Sequence, residues 1–447
     1  MFRRIGICVC GFALSASAIA GTNDCLSLGV VSDLHITTSP SSAECFEETL
    51  RYFDRRQVDG VLVCGDLTDA GFPEELEQVA ATWFKVFPNG RRSDGGTVAQ
   101  LFHLGDHDMG GYMQRRLSRG RKGELDGKIL PNIDTAAVWE RLFHEPWSPI
   151  QVKNVKGFDF VLAHHPKNTK KSKNGNAIPG LSEVLSKVGL DSSKPFFYSQ
   201  HRIMRNTVCR QYDSGMDAGE TTAHLSNRTN CIAFCGHGHN TATDDENIWQ
   251  GAFTAIEVPS LSRCLTRPGR ENSYCVGDHP ERRSPPSQMK SIDGYQFRQC
   301  YVVRLQNDRL TIERRDCVHN FEELGRPWCV DVFGKRVSIE ERIEMSAVPE
   351  FPAGATATVV ERRGKNSRGV EMDQVVVRFP PAKGAYDYLV GTKRVYSPTG
   401  LFVPSADVGP VQCVFTAAEF AALAPEDLKI VPANSLGSCG GSLPIKR

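Results

Sequence analysis

Between Cys25 and about Asn240 the chain alternates short apolar runs with longer polar stretches. The runs LSLGVVS, VDGVLVC, VAQLFHL, GFDFVLA, KPFFYS and NCIAFC have strand length, are rich in Val, Leu, Ile and Phe, and do not alternate. That pattern predicts strands buried on both faces. Between them, segments such as Glu44 to Phe53 and Glu74 to Phe84 space their apolar residues as a helix does and predict covering helices. Strands interleaved with helices predict an α/β layered domain. IWQGAFTAIEVPSL, YQFRQCYVVRL and DRLTIERR then read as strands that complete the sheets as an antiparallel tail.

The pattern changes near residue 345, where EMSAVPEFPAGA brings in prolines and glycine and reads as a linker. Beyond it, ATATVVERR, QVVVRFPPA and AYDYLVGTKRVY are strand-like runs separated by turn residues. They predict a small all-β, immunoglobulin-like sandwich. The expected organisation is a leader over 1–20, an α/β domain over 21–344 and a β-sandwich over 345–447.

Composition sharpens this in three places. A chain of 447 residues with 40% hydrophobic residues can bury large cores and supports more than one domain. Its first twenty residues, MFRRIGICVCGFALSASAIA, combine two arginines, a broken apolar run and small residues before Gly21. This is the layout of a secretory signal peptide, so the mature chain is expected to be secreted or periplasmic, with no membrane span once the leader is removed. Lys and Arg number 53 against 52 Asp and Glu, so bulk charge offers no reason to expect a nucleic-acid or anionic-membrane partner. Fifteen cysteines agree with an oxidising compartment. Cys264 with Cys275, Cys317 with Cys329, and Cys413 with Cys439 are local pairing candidates, and Cys64 and Cys235 read as small core residues. The absence of a CxxC pair argues against a zinc finger or a thioredoxin-type site.

The candidate chemistry is positional. LSLGVVS is followed by Asp33-Leu34-His35, VDGVLVC by Gly65-Asp66, and VAQLFHL by Gly105-Asp106-His107-Asp108. KPFFYSQ is followed by His201, and NCIAFC by Gly236-His237-Gly238-His239. An α/β sheet places its active site at the carboxyl ends of its strands. A lone Asp there is an ordinary turn or cap residue, but turn chemistry would not select three carboxylates and four imidazoles at five strand ends. No GxxxxGK[ST] loop, HExxH or GxSxG elbow is present to suggest another mechanism.

In these residues the sequence resembles the calcineurin-like metallophosphoesterase superfamily, which includes purple acid phosphatases and cyclic-nucleotide phosphodiesterases. The family pattern of DxH, GD, GNH(D/E), a later His and GHxH is matched by DLH, GDLTD, GDHD, QH and GHGH over residues 33 to 239. The resemblance implies a four-layer α/β/β/α sandwich with a dinuclear metal site at one edge. It also implies one metal on Asp33, His35, Asp66 and His239, and another on Asp66, Asp106, His201 and His237. Imidazole and carboxylate suit Mn, Fe or Zn, one of which could be trivalent iron. Two such ions about 3.5–4 Å apart clamp the attacking and leaving oxygens of an in-line displacement, and a bridging hydroxide replaces any serine or cysteine nucleophile. His107 would protonate or stabilise the leaving oxygen, with Asp108 to orient it. Asp106 departs from the family's Asn and adds a negative charge, which implies tighter metal retention or a preference for trivalent iron, at a cost in affinity for phosphate. The end of the chain, LAPEDLKIVPANSLGSCGGSL, resembles the last strands of a fibronectin type III domain, with Leu428 where that family usually has tyrosine.

Two choices stay open in the residues. GFDFVLA also ends in histidines, His164-His165-Pro166, but AIPGLSEVLSKVGL reads as a helix between it and KPFFYSQH, which favours His201 as the ligand. Residues 114–128, with Arg115, Arg116 and Arg119, read as a solvated loop or a phosphate-binding lid, and Arg202 is a comparable phosphate candidate. The expected function is hydrolysis of phosphomonoesters or phosphodiesters, with the C-terminal region as a spacer or a module docking a protein or carbohydrate. The alternative is a non-catalytic, metal-containing protein that binds phosphorylated ligands.

Overall fold

A computed structural model describes residues 25–109, 134–166, 178–189, 191–208, 217–275, 282–397 and 409–447. The expected leader and the basic stretch 114–128 fall outside them. The fold is mixed α/β with several sheets. β1 (Cys25–Val31), β2 (Gly60–Cys64) and β3 (Ala99–His103) lie parallel and adjacent. β4 (Ile150–Val155), β5 (Phe158–Ala163), β6 (Phe196–Gln200), β7 (Cys231–Cys235), β8 (Ile248–Gln250) and β9 (Thr254–Glu257) make a second sheet in the order β4-β5-β6-β7-β9-β8. The chain then returns to the first sheet with β10 (Gln299–Gln306), β11 (Arg309–Asp316), β12 (Glu322–Glu323) and β13 (Trp328–Asp331). The order there is β12-β11-β10-β1-β2-β3, with β13 also pairing β11.

The burial of each strand follows from its sequence. GVLVC of β2 and CIAFC of β7 are buried at every position, as expected of parallel strands covered on both faces. β11 instead alternates, burying Leu310, Ile312, Arg314 and Asp316, as a strand with one solvated face does. Leu28, Val30 and Leu62 of the first sheet share one core with Phe160, Phe197 and Phe234 of the second. The two sheets therefore pack face to face.

Helices cover their outer faces. α1 (Glu44–Arg55), α2 (Pro73–Val86) and α3 (Thr135–Phe143) bury Phe46, Trp83 and Trp139 against the first sheet. Pro73 opens α2, where Glu75 turns back to the Phe72 and Ala70 N–H groups at 3.2 and 3.0 Å, an acidic first turn suited to the helix dipole. α3 starts at Asp134, whose carboxylate accepts from Ala137 N, and stops at His144 in the left-handed region. The shorter α4 (Leu181–Leu185) and α5 (Glu220–Leu225) cover the second sheet.

After α6 (Ile339–Met345), capped by Ser338, the chain forms β14 (Thr358–Lys365), β15 (Glu371–Phe379), β16 (Asp387–Val390), β17 (Lys393–Tyr396), β18 (Val411–Thr416), β19 (Lys429–Ala433) and β20 (Leu443–Pro444). They pair as β14-β15-β18 and β17-β16-β19-β20, and both sheets contribute to one core that includes Val377, Tyr388, Phe415 and Ile430. Polar ties join this region to the preceding one. Arg270 Nη2 meets Asp387 at 2.6 Å, and the buried Arg267 guanidinium reaches both Asp244 and the Ser435 carbonyl.

The cysteine pairing candidates are not joined. Cys317 is buried while Cys329 is exposed on β13, and Cys413 lies in the C-terminal core while Cys439 is exposed. The Cys264 thiol turns to the Ser260 carbonyl at 3.6 Å. Register accounts for one of these, since Cys329 stands opposite Thr311 rather than beside Cys317.

Candidate metal centre

Parallel register brings the relevant strand ends to one edge. Cys64 of β2 stands opposite His103 of β3, so Asp66 and Asp106 emerge side by side. β6 and β7 run parallel in the facing sheet and deliver His201 and His237 to the same edge. Short backbone links tie these turns together: Asp33 N to Gly65 O at 3.0 Å, His35 N to Asp66 O at 3.1 Å, and Gly236 N to His201 O at 2.9 Å.

The local backbone is held in an uncommon form. Asp33, His35, Asp66, His237 and His239 all have positive φ, between 45° and 71°. Such conformations are scarce for residues other than glycine and persist where surrounding structure over-determines them, as at functional sites. Two glycines permit the crowding. A Cβ on Gly105 would stand 2.2 Å from Asp66 Oδ1, and one on Gly236 would stand 1.9 Å from Ser32 Oγ.

The seven sequence-expected ligands come together in two groups. Asp33, His35 and His239 form one, and Asp66, Asp106, His201 and His237 the other, each with candidate ligand atoms within 4.8 Å of one another. Asp66 lies between them, with Oδ2 3.1 Å from His201 Nε2 and 3.8 Å from His35 Nε2. His239 Nε2 is 3.0 Å from Asp33 Oδ1, and His201 Nε2 is 3.2 Å from Asp106 Oδ1. No hydrogen bond of good geometry reaches either of these buried carboxylate oxygens. They aim at shared points rather than at their neighbours.

The outer hydrogen bonds set which ring nitrogens face inward. His201 Nδ1 donates to Cys64 O and His239 Nδ1 to Arg263 O, both at 2.9 Å, while His35 Nδ1 lies 3.4 Å from Asp69 Oδ1. This leaves the Nε2 lone pairs of neutral rings directed into the site, the arrangement by which a second layer orients metal-binding histidines. His35 Nε2 and His239 Nε2 stand 3.2 Å apart, as do His237 Nδ1 and His201 Nε2. Paired acceptor nitrogens at that distance call for a cation or a proton between them.

Electrostatics points the same way. Burial alone would raise Asp33 and Asp106, but surrounding imidazoles hold both far below the carboxylate range, His239 chiefly for Asp33, His201 and His237 for Asp106. Burial alone would lower His201, but Asp66, Asp106 and Asp33 raise it well above its usual value. The site thus concentrates anionic carboxylates whose charge is otherwise balanced by protonated imidazoles. Divalent ions would displace those protons, so the donor set fits a pair of transition-metal ions.

The two expected catalytic residues have different surroundings. His107 Nδ1 donates to the Asp69 carbonyl at 2.6 Å, which puts Nε2 3.9 Å from Asp66 Oδ2. Asp108 does not orient it. Its carboxylate accepts from Gly105 N at 2.7 Å, Leu67 N at 3.1 Å, and Thr68 N and Oγ1 at 2.8 and 2.6 Å. Asp108 is a clasp between the turns after β2 and β3, and burial beside Asp66 pushes it up to about 7. The group that holds the His107 ring is the Asp69 carbonyl, a contact that sequence reasoning missed. The only available signal was the place of Asp69 at the end of GDLTD.

His164 stands apart from the ligand groups. It accepts from Leu104 N at 3.0 Å and packs on Trp139 and Trp147, with ring centroids at 4.8 and 4.4 Å. Arg202 Nη2 meets Asp106 Oδ2 at 2.8 Å, so its partner is a candidate ligand.

Residues 26–241 match the family model described as calcineurin-like phosphoesterase. This stretch, just under half of the chain, is similar to calcineurin-like metallophosphoesterase domains, a family that implies divalent metal ions. No curated protein matches the chain. Among solved structures, a dimetal phosphatase from Danio rerio is similar at 11% identity, over 68% of this chain and 98% of that one, with a TM-score of 0.39. Vacuolar Protein Sorting 29 from Cryptosporidium parvum aligns at 11% identity over 68% and 96% of the two chains, with a TM-score of 0.29. No helix among the described residues is long and apolar enough to cross a membrane.

Proposed function

We propose that this chain hydrolyses phosphoric monoesters or diesters at a centre of two divalent transition-metal ions, Mn, Fe or Zn. The observation that carries the reading is the shared position of Asp66 between two convergent ligand groups. Asp33, His35, Asp66 and His239 would hold one ion, and Asp66, Asp106, His201 and His237 the other. When bound, such a pair supplies Lewis acidity toward the phosphoryl oxygens and lowers the proton affinity of an attacking water.

The chain's own residues do the rest. With Nδ1–H tied to the Asp69 carbonyl, His107 directs Nε2 toward the centre, where it can hold or deliver the proton of the departing ester oxygen. Asp108 fixes the turns that carry Asp66 and Asp106. Arg202 offsets the charge that Asp106 adds relative to the family's Asn. The first twenty residues remain our basis for reading an exported protein.

We read 345–447 as a fibronectin type III-like spacer, supported by three- and four-stranded antiparallel sheets around one core. The test of the activity is turnover of p-nitrophenyl phosphate and its bis ester by protein loaded with Mn, Fe or Zn. Turnover lost on chelation and restored by metal supports the proposal. Phosphate binding without turnover across the panel would instead make this a metal-holding binding protein.

A further inference from the structure

A cavity of about 290 Å³ opens beside the candidate metal centre and has His35 and Asp69 in its wall. Its wall also carries Arg263, Arg298, Tyr295 and Ser42. Because His35 belongs to both the ligand group and this wall, a phosphoester held at the centre would extend its alcohol part into the cavity.

The two guanidiniums distinguish this cavity. Many arginines elsewhere pair with carboxylates, among them Arg202 with Asp106, Arg56 with Glu313 and Arg270 with Asp387, and others, such as Arg228 and Arg342, spend their donors on backbone carbonyls. Neither Arg263 nor Arg298 has an ion-pair partner among the described residues, and Arg298 Nε is buried without a hydrogen bond. Arg298 hydrogen-bonds the Cys45 thiol, while Arg263 lies over the Tyr295 ring at 5.8 Å.

Arg263 is also fixed relative to the centre, since its carbonyl accepts from His239 Nδ1 at 2.9 Å. The single carboxylate in the wall, Asp69, sits at the metal end, 3.4 Å from His35 Nδ1. The wall therefore combines one acid, beside the centre, with two cations that have no acid of their own. Half-buried guanidiniums without acidic partners are suited to bind phosphate through paired N–H donors.

We infer that Arg263 and Arg298 form a subsite for a second phosphate on the alcohol part of the substrate, so that the preferred substrates are organic bisphosphates rather than simple monophosphates. This rests on the phosphoesterase reading above. The step remains hydrolysis: water adds to the phosphorus at the metal centre, the ester P–O bond breaks, and the alcohol leaves carrying its other phosphate.

The test compares α,ω-alkanediol bisphosphates of increasing chain length with the matching monophosphates, using metal-loaded full-length protein. Rates are corrected for the two equivalent ends. At least one bisphosphate should show kcat/KM about ten-fold or more above its monophosphate, and Arg298→Ala and Arg263→Ala should each bring that ratio toward one, with Arg298→Lys in between. A ratio near one along the whole wild-type series overturns the subsite and leaves phosphoester hydrolysis standing. If no ester turns over, the activity itself fails, and calorimetric titration with the same pairs decides the subsite. Tighter binding of a bisphosphate that Arg298→Ala abolishes supports it, and equal binding of bis- and monophosphate overturns it.

Discussion

Arg202 Nη2 lies 2.8 Å from Asp106 Oδ2, while Asp106 Oδ1 faces the ring nitrogens of His201 and His237 at 3.2 and 3.4 Å. One oxygen is thus committed to a cation from the chain and the other to the centre. The negative charge that distinguishes this site from the family pattern is therefore matched by an adjacent positive one. Asp106→Asn removes the carboxylate but leaves the guanidinium, so the centre should hold metal more weakly, by about ten-fold or more. Arg202→Ala in that background should recover part of the loss, giving a non-additive cycle in metal affinity. Competition titration against a chelator reads it, and unchanged affinity in Asp106→Asn would contradict the pairing.

His107 and Asp108 are adjacent in sequence but should fail in different ways. His107→Ala removes a group facing the centre and should lower kcat by about 10²- to 10⁴-fold, with metal content and melting temperature kept. Asp108→Ala strands the donors of Gly105, Leu67 and Thr68 and should destabilise the fold by at least about 2–3 kcal/mol. A stable Asp108→Ala protein with only its rate impaired would return Asp108 to a role in the chemistry.

Gly105 touches the residue common to both ligand groups. A methyl there would lie 2.2 Å from Asp66 Oδ1 and 2.4 Å from Asp66 N, both within the hard core of the contact. Gly105→Ala should therefore displace Asp66 and reduce occupancy of both metal positions, alongside about 1–3 kcal/mol of overpacking strain. Elemental analysis showing full occupancy would mean that the turn yields without moving the carboxylate.

Buried neutral histidines make acid stability a further test. Burial pushes His103 down to about 3 and His164 well below its usual 6.5, where His103 and Lys153 add to the effect. His164 Nδ1 accepts a backbone N–H, a bond that requires the ring to stay unprotonated on that nitrogen. A depressed histidine pKa means that the unfolded chain binds the proton first, so stability is complete above about pH 6.5 and is lost as pH falls. Each such group contributes up to about 1.4 kcal/mol per pH unit. In urea unfolding between pH 6.5 and 5, His164→Gln should lose stability less steeply than wild type by roughly that slope. Parallel curves would show that His164 titrates normally.

Much of the centre was legible because it lies at the ends of apolar runs, and parallel strands in register carry their ends to one edge. LSLGVVS, VDGVLVC and NCIAFC identify β1, β2 and β7, and Asp33, Asp66 and His237 follow directly from where they stop. What escaped reading depends on contacts distant in sequence. The Asp69 carbonyl on His107, the Arg263 carbonyl on His239 and the Trp139–His164–Trp147 stack leave no local pattern. The Cys317–Cys329 pairing fails for the same reason, since closeness along the chain says little about strand register. Asp106 and Arg202 each stood out alone, but only the fold makes them a pair.

The central claim is that Asp66 belongs to two metal positions at once. Metal content per chain, measured by mass spectrometry after reconstitution and removal of unbound metal, tests it most directly. The account gives two ions bound by wild type, about one by His201→Ala, and fewer than one by Asp66→Ala. A wild type that holds one ion or none, or an Asp66→Ala protein that keeps both, would contradict it.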